Sequence, residues 1–97
     1  MDATLKIALD EYFERASEFP LNKFVLVRDD HEVSPLIEAK FSETEPFTLT
    51  ASDDQEIFAG DILVYPKTRQ FCFVDDIRHI PDKNIFIIHY YTDFDFE

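Results

Sequence analysis

The chain holds a single glycine, Gly60, a single cysteine, Cys72, and no tryptophan, and it is poor in positive charge, with nine Lys and Arg against 21 Asp and Glu. Each scarcity excludes something. One glycine cannot build a phosphate-cradling loop, which needs several backbones free to approach a ligand closely or to take positive φ. One cysteine permits no disulfide within the chain and no zinc site of paired thiolates, and it suits a reducing compartment. A net charge of −12 repels nucleic-acid backbones and anionic lipid. The few cations are scattered singly among acids, so no basic stripe for sequence-specific nucleic-acid binding is present. No segment approaches the ~18 apolar residues of a membrane span, and the first residues lack a basic region followed by an apolar stretch.

What is present outweighs the acidity. Eleven Phe and four Tyr sit in a chain that is 45% hydrophobic, enough apolar mass to offset the entropy lost on ordering. Ninety-seven residues make one domain, which buries roughly two-thirds of its unfolded surface and leaves no room for a second lobe.

Over residues 2–18 the apolar positions Leu5, Ala8, Leu9, Tyr12, Phe13 and Ala16 recur at three and four, a helical stripe, with Asp10, Glu11, Glu14 and Arg15 opposite. Asp2 suits the N-cap and Pro20 blocks continuation. From there the period becomes two. Residues 23–28, 36–41 and 46–51 read as strands, separated by turn-forming Asp29-Asp30-His31, Ser34-Pro35 and Ser42-Glu43. The first is apolar on both faces and should be central; the second alternates Ile37, Ala39, Phe41 against Glu38, Lys40, Ser42 and has one wet face. Gly60 leads into a fourth strand at 61–65 and predicts a positive φ. A fifth follows at 69–77, a type I turn at Ile80-Pro81-Asp82-Lys83, and a sixth strand at 84–91. These elements predict an α+β fold, an N-terminal helix (2–18) followed by a small antiparallel SH3-like β-barrel of about six short strands (22–92) and an acidic aromatic C-terminal extension (92–97). A two-layer sandwich of one sheet and one helix is the alternative.

Three constellations could carry chemistry. Asp29-Asp30-His31-Glu32 concentrates potential metal ligands, but it lacks the glycine and carbonyl offsets of a cation loop and reads as a solvated hairpin turn. Asp75-Asp76 with His79 would need a bulge to bring both carboxylates to one face. Cys72 with His79 or His89 could pair a thiol with a base, yet flanking phenylalanines and neighbouring acids disfavour a thiolate. No metal, cofactor or catalytic residue is expected. The terminus is different: Phe94 and Phe96 fall on one face of an extended chain with Tyr90, and Asp93, Asp95 and Glu97 on the other. Both rings could close the end of the barrel; as a docking arm, Tyr90, Phe94, Asp95 and Phe96 would bind a protein neighbour.

The run Gly60-Asp61-Ile62-Leu63-Val64-Tyr65, then Phe71-Cys72-Phe73-Val74-Asp75-Asp76-Ile77, then the apolar strand at 85–90, resembles the closing strands of small head-tail joining proteins of long-tailed phages. The resemblance implies a helix beside a compact barrel, no enzymatic activity, and a neck component oligomerised in a ring around the DNA channel. It also implies a virion part assembled in the host cytoplasm; composition alone suggests a cytoplasmic protein. The first three strands and the acidic terminus lie outside it. An acidic inhibitor or immunity-type protein, which neutralises a basic enzyme or mimics nucleic acid, is the alternative from another class. Its carboxylates would have to stand in long rows, whereas here they occur in short pairs.

Overall fold

A computed structural model describes residues 3–92, with residues 32–35 described as backbone only. The helix α1 (Ala3–Glu14) is followed by six strands, β1 (Lys23–Arg28), β2 (His31–Phe41), β3 (Thr48–Ser52), β4 (Ile62–Tyr65), β5 (Gln70–Ile80) and β6 (Ile85–Tyr91). All neighbours are antiparallel, in the order β1-β2-β3-β6-β5-β4, and β4 closes onto β1 to complete a barrel. The closed barrel rules out the open sheet of a sandwich.

The helix is shorter than its apolar stripe. Its α-helical part ends at Glu14, and residues Ala16–Glu18 make a tighter 3-10 turn. Pro20 is the cause: it pushes Phe19 into extended backbone (φ −86°, ψ 141°), and the Phe19 ring folds back onto Tyr12 at 5.6 Å. Asp2 lies outside the described residues.

Alternation along β1 separates two cores. Phe24 and Leu26 point into the barrel, where they meet Leu49, Leu63, Cys72 and Ile88. Val25 and Val27 point outward, yet they are at most 3% exposed because Leu5 and Leu9 of α1 lie over them and over Val64. A strand that is apolar on both faces therefore has protein on both faces. Burying a leucine of this kind stabilises the fold by roughly 1.5–3 kcal/mol.

Two strands run longer than their local sequence suggests. Ser34-Pro35 does not end β2; it sits where the register on β1 jumps from Phe24↔Ile37 to Leu26↔Val33. Proline has no N–H to give to a ladder, so it is tolerated at this bulge rather than in regular pairing. β5 likewise continues to Ile80, with a register shift between Val74 and Asp76. β3 and β6 start one or two residues later than expected, at Thr48 and Ile85.

A chain with one glycine has to turn with other residues. Besides Gly60 (φ 95°), six residues take positive φ: Asn22, Asp29, Asp30, Phe47, Arg69 and Asn84. Asn and Asp tolerate this conformation best. Asp29 and Asp30 form a two-residue hairpin with positive φ at both central positions, the type I′ geometry that matches strand twist. Phe47 and Arg69 are bulkier and are steadied by ring contacts: Phe47 meets Tyr90 edge-on at 5.8 Å, and the Arg69 guanidinium lies 5.3 Å from the Phe13 ring centre.

The connection from β3 to β4 crosses one end of the barrel as a strap. Ile57 plugs the core beneath it, 4% exposed. The Gln55 side chain acts as a strand neighbour to β2, its Oε1 accepting the Glu38 N–H and its Nε2 donating to the Glu38 carbonyl, both at 2.7 Å. Asp61, 3% exposed, accepts both the Nε and an Nη of Arg28 at 2.9 Å and the Phe58 N–H at 2.8 Å. This pairing holds the Arg28 proton more tightly than usual. Gly60 provides φ rather than space, since a Cβ there would meet nothing within 4 Å.

Candidate interaction surface

Residues directly opposite one another in a sheet share a face, so the register builds the surface. Lys40 pairs with Thr50, Thr50 with Ile87, and Ile87 with Arg78, one straight row across β2, β3, β6 and β5. Beside it Ser52, Ile85 and Ile80 form a second row. On the other flank Thr48, His89 and Asp76 form a third, with His89 Nδ1 3.6 Å from Asp76 Oδ2. Their inward-facing neighbours, among them Leu49, Ala51 and Ile88, belong to the barrel core, so the three rows face outward.

No helix of the described residues covers this side. Ile80, Ile85 and Ile87 are half-buried by their neighbours alone, while Lys40 and Arg78 are exposed. An open groove of about 820 Å³ lies at one end of it, bordered by Glu38, Lys40, Thr50, Asp54, Lys83 and Ile85. Arg15 and Arg28 are engaged in ion pairs elsewhere, and Lys23 pairs with Glu38 at the groove. Lys40, Arg78 and Lys83 form no ion pair among the described residues. Half-buried isoleucines with three unpaired cations, and with Glu38 and Asp54 interspersed at the groove, distinguish this face on a chain of net charge −12. Such a face can bury apolar side chains at its middle and pair carboxylates at its edge.

The residues singled out by sequence go to other places. Tyr90 does not stand on an exposed docking edge: it is 9% exposed within the barrel, its ring against Phe41 and Phe47, and Gln70 donates to its hydroxyl at 3.5 Å. Burial raises the Tyr90 pKa, with a smaller contribution from Cys72. The exposed aromatic at this end of β6 is Tyr91, 54% exposed and stacked on Phe73 at 5.3 Å. Phe94, Asp95 and Phe96 lie outside the described residues.

The three chemical constellations are separated by the fold. Asp29, Asp30 and His31 form an exposed hairpin tip. The bulge at Asp75 is present, and both Asp75 and Asp76 are exposed. His79 turns to Asp53 at 2.9 Å with its ring 5.1 Å from Phe86, while His89 faces outward to Asp76. Among the described residues no three His, Cys, Asp or Glu side chains are grouped to hold a metal ion. Cys72 is fully buried in the barrel, and that burial pushes its thiol up to about 12, so it is a thiol at neutral pH. It acts as a small apolar side chain.

Sequence reasoning missed the outward face. The only local signal was the alternation that leaves Glu38 and Lys40 on the wet side of β2; Ile87 and Arg78 join them only through the pairing of Thr50 with Ile87, 37 positions apart in the chain. No helix of the described residues is long and apolar enough to cross a membrane. No family model, no curated protein and no solved structure matches the chain.

Proposed function

We propose that the chain is a non-enzymatic assembly protein that binds protein neighbours through the outer face of β2, β3, β6 and the second half of β5. The observation that carries this reading is the row Lys40, Thr50, Ile87, Arg78, in which half-buried Thr50 and Ile87 lie between two exposed cations. Protein interfaces combine an apolar centre with a polar, hydrogen-bonding rim. Three half-buried isoleucines, Ile80, Ile85 and Ile87, gather on this one face, where a partner would complete their burial. The stacked pair Phe73 and Tyr91 adds a second exposed aromatic ledge where β6 ends.

The finer reading is a head-tail connector component of a long-tailed phage, held in a ring around a DNA channel. The plan of one helix beside a closed barrel supports it, since the resemblance in the second half of the chain implies that plan. The charge supports it too, because a wall of carboxylates repels a duplex and lets it slide. Size-exclusion chromatography with light scattering tests both levels. Rings or larger species of fixed stoichiometry, alone or with a protein partner, are expected. A lone monomer that instead binds a basic enzyme, with affinity falling steeply in salt, would replace this reading with that of an acidic inhibitor.

A further inference from the structure

We propose that the occupant of the outer face is the acidic aromatic segment 93–97 of a second copy of this chain, docked head to tail. The inference rests on the assembly reading above and names the partner of that same face. Its basis is a match of chemistries. Phe94 and Phe96 alternate with Asp93, Asp95 and Glu97. The face offers Ile80, Ile85 and Ile87 to rings, and Lys40, Arg78 and Lys83 to carboxylates. Rings on the isoleucines would remove apolar area from water at about 25 cal/mol per Å². Carboxylates reaching the three cations would draw on charges that have no ion-pair partner among the described residues.

Reach decides for a second copy over the same one. A strand rises about 3.3 Å per residue, so Ile87 lies roughly 16 Å back along β6 from Thr92. Phe94 is two positions beyond Thr92 and Phe96 four, which allows at most about 7 and 14 Å of fully extended chain. Reversing direction consumes part of even that length. Phe94 therefore falls short of its own Ile87, Phe96 meets it only at full extension, and neither reaches Ile85, the isoleucine that borders the groove. The tail leaves from the end of β6 opposite to Ile85 and Lys83, so donor and acceptor surfaces differ. Such a heterologous contact gives each copy one tail to insert and one face to fill, and it closes into a ring where the rotation allows.

Sedimentation velocity of the full chain, from micromolar to millimolar, tests the contact. Concentration-dependent association that weakens with salt is expected. A face variant, Lys40→Glu with Arg78→Glu, and a tail variant, Asp93→Lys with Asp95→Lys, should each weaken self-association by about tenfold or more. Ending the chain after Thr92 should do the same. Mixing the face variant with the tail variant should restore association, because every tail then meets a face of opposite charge. All substituted face positions are exposed, and unchanged melting confirms that each variant folds. A full chain that stays monomeric at millimolar concentration overturns the inference, as does association that neither the truncation nor the charge reversals weaken. If the full chain is monomeric but its face variant loses a different protein partner, the second-copy inference fails and the assembly reading stands.

Discussion

The barrel has two outer sides built on the same alternation of inward and outward residues, and they differ in what lies over them. On β1 and β4 the outward residues Val25, Val27 and Val64 are at most 3% exposed, because Leu5 and Leu9 of the helix cover them. On β6 and β5 the outward Ile80, Ile85 and Ile87 are only half-buried, with cations in place of a helix at their edges. The first side shows how an aliphatic surface is made part of a core. The second shows the same alternation with no helix of the described residues over it, and its isoleucines stay half-buried.

Breaking the covered side should cost most. Leu9→Ala should lower the unfolding free energy by about 2–5 kcal/mol in urea titration. Ile87→Ala, on the open side, should lower it less, by about 1 kcal/mol, since that side chain is only half-buried in the native state. Equal losses at the two positions would mean that the open side is packed as tightly as the covered one.

The barrel interior sets the response to alkali. Cys72 has its pKa raised from 9.0 to about 12 by burial. The unfolded chain therefore loses the thiol proton at lower pH than the folded chain does. Stability contributed by the neutral thiol is present below pH 9 and should fall as pH rises from 9 towards about 12. Chemical denaturation across that range should show the loss, and Cys72→Ala should flatten it, leaving the part due to Tyr90. A thiol reagent should leave folded protein unmodified at neutral pH and label it once denatured.

Smaller effects belong to the turns and the open side. Asp30→Gly places the residue suited to positive φ in the β1–β2 hairpin and should raise stability by up to about 1 kcal/mol. Lys40→Glu should change the unfolding free energy by no more than about 0.5 kcal/mol. A larger loss would show that Lys40 supports the fold instead of facing a partner.

Much of the architecture was legible in one dimension. The stripe from Leu5 to Ala16 is a helix until Pro20 constrains its last turn, and each of the six strands lies where β-formers alternate. Phe24 to Val27 being apolar on both faces announced cover on both, and Gly60 before a strand announced positive φ. Less legible were features that depend on pairing. Ser34-Pro35 carries every mark of a turn, yet partners on β1 hold it within a strand as a bulge. Of the strap over residues 53–61 only Gly60 stood out in the sequence; the strap's role comes from Arg28, 33 positions from Asp61, and from Gln55 pairing with Glu38 across 17.

By itself the sequence determined the element types, the absence of a disulfide within the chain and the net charge of −12, because each follows from residue identity or from neighbours a few positions apart. Tertiary structure alone decided that Tyr90 is interior and Tyr91 exterior, and that Lys40, Thr50, Ile87 and Arg78 share a row. The physical reason is register. A strand presents its side chains with period two wherever it lies, but which strands lie beside it, and what covers each face, depends on how the whole barrel closes.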